Sequence, residues 1–427
     1  MRSYHSLFVI GTGAREHALV WHLRRHYPGA RLFCAPGNPG IGEIATLVPG
    51  RLDDLDGLAA AAASVAADLT VIGPEAPLVA GLADRLRARG LRVLGPDASA
   101  ATIEGSKAFA KALMARWGIP TARARTFDDL AAALAYIRAQ DSPPVVKADG
   151  LAAGKGVVVS DDPDEALRAA RAMLADGAFG DAGRRIVVEE RLEGDEASVF
   201  ALIDGEAVCL LPAARDHKRL ADGDRGPNTG GMGAAAPVAL DSTLRERILR
   251  EIVQPVASAL VAEGRPYRGV LFVGLMLTAR GPMVLEFNCR LGDPEAQVIL
   301  PLLEAGLPDL ADALARGRAP AIAPSSGAAV GVVLAAPGYP AAPRTGAPIE
   351  GIGAARQAAL VFHGGTAMRD GRLVTAGGRV LTVTGQGADL AGARRAAYAA
   401  IAGIRFDGMQ FRADIGARLA AEPAARR

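Results

Sequence analysis

The sequence predicts an α/β chain of several domains, an α+β multidomain protein. Three observations carry this. A length of 427 residues exceeds what one hydrophobic core organises. Four short apolar runs in the first hundred residues each end in a glycine- or proline-rich loop. Beyond about residue 102 the pattern changes to apolar strands flanking glycine loops that carry lysine.

The first element is the apolar run Leu7–Ile10, which turns through Gly11-Thr12-Gly13 into a helical stretch containing Glu16 to Leu23. Leu32–Ala35 follows and ends in Pro36-Gly37-Asn38-Pro39-Gly40. Leu69–Ile72 ends in Gly73-Pro74-Glu75, and Arg92–Leu94 in Gly95-Pro96-Asp97. Strands alternating with helices in this way form a doubly wound parallel sheet, whose ligands lie beyond the strands' carboxyl ends. A helix then carries Ser106 and Lys107 to Met114, and Trp117-Gly118-Ile119-Pro120 breaks it. Residues 121–192 contain the strands Val145–Val146, Val157–Val159 and Ile186–Glu189. Residues 193–325 are mixed, with strands near Ala197–Ile203, Val270–Thr278 and Met283–Phe287. The Arg/Ala/Pro/Ser-rich stretch 316–328 has the composition of a linker. Strands Val330–Ala335, Ala359–Phe362 and Val380–Thr384 and a helix from Ala388 make up the remainder.

Composition excludes several classes. A net charge of +2 with interspersed signs indicates no nucleic-acid or acidic-membrane partner. No run approaches the ~18 apolar residues of a membrane span, and Met1–Ile10 lacks the organisation of a signal peptide. Cys34, Cys209 and Cys289 form no CxxC or metal spacing. Buried free thiols in a reducing cytoplasm are expected.

Of 48 lysines and arginines only five are lysine: Lys107, Lys111, Lys147, Lys155 and Lys218. Drift explains the scarcity but not the clustering beside glycine loops. An ammonium is a compact point charge where a guanidinium is a wide fork, and tight phosphate sites need the former. The three asparagines, Asn38, Asn228 and Asn288, also stand in glycine- or acid-rich motifs.

Ala152-Ala153-Gly154-Lys155-Gly156, between two strands, is either a phosphate loop or a hairpin with an exposed lysine. It is not a Walker A loop, because no GK[ST] opens a helix. Lys147 ends an apolar strand where an unpaired charge is costly, which favours a two-lysine polyphosphate clamp. The run Val187 to Glu196 offers backbone to an adenine edge and carboxylates to ribose, or is a solvated acidic edge. Glu286 and Asn288 alternate on a strand and share a face, which suits Mg²⁺ beside phosphates, or is simply a polar face. Asp216-His217-Lys218-Arg219 and Gly226 to Gly233 form a polar, glycine-dense stretch suited to anion binding or lid duty, or a surface loop. The first loop fails GxGxxG because position 16 is glutamate. With no ribose acid following, nicotinamide binding is not expected, and Arg15 and His17 at a helix start suit a single phosphate. His5, His22 and His26 read as ordinary surface or terminal histidines.

Taken together, GTGAREHAL, APGNPG, GPEAPLVAGL, EGSKAFAK, VVKADGLAAGKGVVV, FGDAG, EERLEGDEAS, DHKR, GPNTGGMGA and LEFNCRLGDPEAQ resemble the glycinamide ribonucleotide synthetase family of the ATP-grasp superfamily, in order from about Leu7 to Ala420. The resemblance implies a Rossmann-like N-terminal domain over 1–101. It implies an ATP-grasp domain over 102–325 with a small mobile subdomain at about 121–192, and a small C-terminal α/β domain over 329–427. It implies the reaction of ATP, glycine and 5-phosphoribosylamine to glycinamide ribonucleotide, ADP and phosphate, an early step of purine synthesis. It implies ATP with Mg²⁺ or Mn²⁺; a cytoplasmic monomer is expected, and the length suits a stand-alone, bacterial-style enzyme with no nucleic-acid or membrane partner.

Carried over by the resemblance, Lys107, Lys147 and Lys155, with Gly154 and Gly156, hold ATP phosphates. Glu189 belongs to the nucleotide site, Glu190 and Leu192 flank adenine, the latter by its backbone, and Glu196 takes ribose. Glu286 and Asn288 hold the metal. Gly11, Gly13, Arg15, Glu16, Asn38, Pro74, Glu75, Asp216, His217, Lys218 and Arg219 surround phosphoribosylamine. Arg290, Asp293, Pro294 and Glu295 lie near glycine and the acyl phosphate, and Lys155, Arg290 and Asp293 are catalytic. The chain departs from the family at Ala235 and Ala236, where an aromatic is frequent, and in GTGA where GNGG is frequent. Another ATP-grasp carboxylate–amine ligase or carboxylase-like relative, a Rossmann-type oxidoreductase and a silent nucleotide-binding protein remain the alternatives. The loops GTGAREHAL and GPEAPL separate the first of these, and the retained Lys147, Glu286 and Asn288 weigh against the last.

Overall fold

The computed structural model describes residues 3–152, 155–318, 320, 322 and 327–421. The chain opens with a five-stranded parallel sheet in the order Thr46–Leu47, Arg31–Pro36, Ser6–Gly11, Leu69–Ile72, Val93–Leu94. Ser6–Gly11 is central and buried throughout, which is why Leu7–Ile10 is continuously apolar rather than alternating. The order reverses at this strand, so the loops after Gly11 and Ile72 face one crevice. The two-residue edge strand Thr46–Leu47 is exposed and too short to leave an apolar pattern.

The second body is a four-stranded antiparallel sheet in the order Ala124–Phe127, Ile186–Glu189, Val145–Ala148, Val157–Val159. Helices Leu130–Arg138 and Pro163–Leu174 pack on it, and Phe127, Leu134, Ile137, Val146, Ala170, Met173, Ile186 and Val188 give it a core of its own. Asp129 and Asp162 start these helices by accepting backbone N–H bonds at 2.7 Å from Ala132 and Glu165.

The central sheet runs Ala207–Leu210, Asp195–Asp204, Arg268–Thr278, Gly281–Asn288, all antiparallel. The last pair contains a bulge: Gly274 faces Glu286 and Leu275 faces Val284, leaving Leu285 without an opposite residue.

The fourth sheet has the order Arg215–Asp216, Gly233–Ala236, Ala328–Ala335, Arg379–Gly387, Leu360–His363. Its first two strands come from before the linker-like stretch, so the C-terminal sheet is completed by the glycine-dense segment. Ala235 and Ala236 are fully buried in it, which gives the small side chains at these positions a packing role. Among the described residues no helix is long and apolar enough to cross a membrane. Cys34, Cys209 and Cys289 are buried and free.

Candidate active site

On the nucleotide side, helix Lys107–Trp117 begins with two caps. Ser106 Oγ accepts from Phe109 N at 3.1 Å, and Asp149 Oδ1 accepts from Ala108 N at 2.7 Å and from Ser106 Oγ at 2.9 Å. This fixes Lys107, whose Nζ donates to the Gly150 carbonyl at 3.1 Å. Lys147 Nζ reaches the carbonyl of bulged Leu285 at 2.9 Å and Glu189 Oε2 at 3.0 Å. The bulge thus frees a carbonyl to receive a buried ammonium. Lys218 Nζ lies 3.2 Å from Glu196 and 3.9 Å from Glu286. Glu196 followed by burial and Glu286 dominate its surroundings, and the carboxylates hold the ammonium above its usual range. Burial pushes Glu286 upward, but Lys218, Lys147 and Lys107 outweigh it and keep the carboxylate ionised. Burial pulls Lys107 down.

On the substrate side, Arg290 Nε donates to Glu75 at 3.0 Å, and its Nη2 to Glu104 at 2.9 Å and to Asn288 Oδ1 at 3.2 Å. Burial raises Glu75's pKa, but Arg290 and Arg15 overcome it and hold the group at about 2. Burial raises that of Glu104 more than Arg290 lowers it. Asp293 Oδ2 accepts from Arg379 Nη2 at 2.9 Å, and Arg379 Nη1 also bonds the carbonyls of Asp293 and Gly230. A methyl group placed on Gly13 would stand 3.7 Å from Asp293 Oδ2, so the first loop opens onto this corner. Glu295 is buried, accepts from Ser198 Oγ at 3.0 Å and is raised by that burial. Asp216 Oδ1 is buried with no hydrogen-bond partner, and burial and Glu295 push its carboxyl well up.

Several expected contacts are committed elsewhere. Glu189, expected at the nucleotide, is 3% exposed and its carboxylate lies against both Lys147 and Lys111. Glu16 accepts from Gly13 N at 2.6 Å and from Arg15 Nε at 2.6 Å. It fills the space beside Gly11, whose φ is +138° and where a Cβ would come within 2.3 Å of it. The glutamate that breaks the dinucleotide motif therefore closes the loop itself. Asn38 commits both amide hydrogens to Thr12 O at 2.8 Å and His363 O at 2.7 Å, and its oxygen to Ile41 N at 3.0 Å. It latches the first domain to the C-terminal one. His17, assigned to phosphate by its place at the helix start, instead accepts from His363 N at 2.8 Å in the same seam, where burial keeps it neutral. His22 is fully buried and accepts from Leu307 N at 3.0 Å, not a surface residue.

His217 turns toward the C-terminal segment, accepting from Gly416 N at 3.3 Å, and burial lowers it to about 4. Arg219 donates across its own hairpin to Gly226 O at 2.9 Å. Pro74 caps the short helix Glu75–Val79. Glu190 pairs with Arg123 at 2.8 Å and Arg280 at 3.1 Å, with Leu192 half-buried beyond it. Lys155 is exposed and donates to Pro340 O at 3.3 Å. Gly154 lies outside the described residues. At Gly156 a Cβ would meet Ala152 at 2.6 Å, so this glycine serves the tight return of the loop. Glu104, Arg379, Ser198 and the partner role of Lys111 escaped the sequence reading.

A small antiparallel body over a central sheet, with lysines and a carboxylate–amide pair between them, defines an ATP-grasp ligase. Residues 5–104 match the N domain of phosphoribosylglycinamide synthetase, 105–296 its ATP-grasp (A) domain and 329–418 its C domain. The chain belongs to this family. The phosphoribosylamine–glycine ligase of Ralstonia nicotianae is 48% identical over 416 residues, covering 96% of this chain and 99% of its own. That of Rhizobium meliloti is 47% identical over 98% of this chain and 100% of its own. The crystal structure of the Thermotoga maritima enzyme superposes with a TM-score of 0.83 at 36% identity, covering 96% of this chain and 100% of that one. The biotin carboxylase domain of Hydrogenobacter thermophilus 2-oxoglutarate carboxylase shares the fold, with a TM-score of 0.72 at 16% identity over 96% of this chain and 92% of that one.

Proposed function

We propose that this chain joins glycine to 5-phosphoribosylamine at the expense of ATP, through glycyl phosphate, giving glycinamide ribonucleotide, ADP and phosphate. The observation that carries it is the junction of the two clusters. Arg290 Nη2 bonds Asn288 Oδ1 at 3.2 Å, so the nucleotide-side strand and the substrate-side loop share one residue pair. Glycine's carboxylate attacks the γ-phosphate, and the amine then displaces phosphate from the acyl carbon. No side-chain nucleophile is needed, so catalysis is positioning and charge neutralisation by Lys107, Lys147, Lys155 and Arg290.

Glu286 and Asn288 fit a hard cation. Both are oxygen donors from alternate positions of one strand, and three lysines keep Glu286 ionised. Bound there, Mg²⁺ or Mn²⁺ supplies charge neutralisation at the phosphates. The orphaned Asp216 oxygen beside Glu295 suits glycine's ammonium, which would complete a buried charge. Asp293 presents its carboxylate toward the Gly13 loop, held there by Arg379, where the amine substrate enters. Glu190, Leu192 and Glu196 line the adenosine side. The same reading divides the chain at 1–101, 102–325 and 329–427, with 121–192 as the body that closes to exclude water from the acyl phosphate.

The test is phosphate release from Mg-ATP and glycine, with and without phosphoribosylamine generated in situ. Release that needs both substrates and matches product formation is expected. Release with glycine alone, indifferent to the amine, overturns the choice of acceptor.

A further inference from the structure

Lys111 is the one scarce lysine that the ligase mechanism leaves without a role. It follows Lys107 by one helical turn on helix Lys107–Trp117, so both ammonium groups project toward the same side. Unlike Lys107 it is buried. Its Nζ donates to Thr121 Oγ1 at 2.7 Å and to Ala122 O at 3.1 Å, and lies 3.3 Å from Glu189 Oε2. Three donors meet three acceptors, so the ammonium is fully satisfied where it lies.

Two features make this more than a satisfied core lysine. First, the Glu189 oxygen it contacts is the one that Lys147 contacts at 3.0 Å. One carboxylate serves two ammonium groups, so the trio carries a surplus positive charge. Second, its partners lie at both chain crossings of the small body. Thr121 and Ala122 begin it, Glu189 ends its last strand, and the two are zipped together by Glu190 N donating to Arg123 O at 2.9 Å. Thr121 Oγ1 in turn donates to Val284 O at 2.6 Å, on the strand that carries Glu286 and Asn288.

We infer that Lys111 is a positioning residue for the nucleotide site. Through Glu189 it keeps Lys147 incompletely neutralised and so available to phosphate, and it bolts the crossings of the small body to the strand of Glu286. The inference rests on the nucleotide reading given above. Without Lys111 the Glu189 charge belongs to Lys147 alone, and the pull on a polyphosphate weakens. The charged groups facing Lys111 are Glu189, Lys147 and Glu190, the last already paired with Arg123 and Arg280. Burial lowers Lys111 to about 8, with Lys147 adding to the fall and Glu189 opposing it. The protonated form binds phosphate better, so affinity should decline as pH rises through that value.

The experiment is calorimetric titration of Mg-ADP into the full-length wild type, Lys111→Met and Lys111→Arg from about pH 7 to about pH 9. It is accompanied by kcat and KM for ATP and for glycine. The wild type should bind ADP with a Kd that rises several-fold across that range. Lys111→Met should bind about tenfold more weakly near pH 7, without the pH slope. Its KM for ATP should rise more than kcat falls, with KM for glycine held. Lys111→Arg should recover affinity while staying flat, because a guanidinium does not titrate there. Wild-type affinity and slope in Lys111→Met, or Lys111→Arg no better than Lys111→Met, overturns the inference. Should Lys111→Met fail to fold, Lys111→Gln takes its place in the titration, and wild-type affinity in that variant overturns the inference. A wild type that binds no ADP would instead remove the nucleotide reading.

Discussion

The two halves of the site use their cations differently. On the nucleotide side, Lys107, Lys147 and Lys218 surround Glu286, and each ammonium rests on one or two oxygens at 2.9–3.9 Å. On the substrate side, Arg290 spans Glu75, Glu104 and Asn288, and Arg379 spans Asp293 and Gly230. The arginines come from one strand end and from the C-terminal sheet, and they tie loops of different domains into a fixed frame. The lysines stand where a separately cored body meets the central sheet. Forks fix geometry among several acceptors, whereas point charges meet a small anion whose position changes during turnover. This explains why a chain that prefers arginine elsewhere keeps lysine here.

The largest test of the comparison removes its lysine side. Lys147→Ala or Glu286→Ala should cut turnover on the order of 10²–10³-fold. Glu286→Ala should keep a melting temperature close to that of the wild type, whereas Lys147→Ala should also lower it, because buried Glu189 is left with Lys111 alone. Steady-state rates near normal would break the assignment. Next, Arg290→Lys keeps the charge but loses the span. It leaves Glu75 or Glu104 without its partner, so chemical denaturation should show a loss of roughly 3 kcal/mol, together with a higher KM for glycine. Unchanged unfolding midpoints would mean that the fork is not what holds the frame. Lys155→Arg should lower turnover several-fold, and unchanged kinetics would show that a point charge is not required in the glycine loop.

The smallest effect expected is on acid stability. Glu75 is held at about 2 in the folded chain, below the roughly 4.3 of a free glutamate. A depressed folded value gives stability that is complete above the unfolded value and is lost as pH falls toward 2. Glu75→Gln should therefore be less stable than the wild type at pH 6, with the gap narrowing between about pH 4.5 and about pH 2. A gap constant with pH would sink the linkage.

Much of this was legible in the chain. Leu69–Ile72, Val157–Val159 and Ile186–Glu189 coincide with the observed strands, because short runs rich in β-branched residues fit the pleated surface of a sheet. Glu286 and Asn288 share a face because alternation is a property of the strand itself. Glu189 misled because an acidic residue at the end of a strand looks the same whether its carboxylate meets ligand or lysine. Arg379 escaped because nothing in its neighbours separates one arginine from the rest. Glu104 opens the EGSKAFAK motif but its role escaped, because its partner Arg290 lies 186 positions away. Asn38 was found, but as a ligand, since a short motif does not reveal that both its amide hydrogens are spent on Thr12 and His363.

By itself the sequence determined the order of elements, the loops at the strand ends, the family and the residue types gathered for phosphate chemistry. The elements and loops follow from periodicity and from glycine and proline placement, which act over a few residues, and the family follows from the resemblance of the motifs. Only the tertiary structure decided which charges neutralise one another. Arg290 meets Glu104 across 186 positions, and Arg379 meets Asp293 across 86. Coulomb and hydrogen-bond energies depend on distances of a few ångströms in a medium of low polarisability. Those distances are set by how the sheets pack, and no local pattern encodes them.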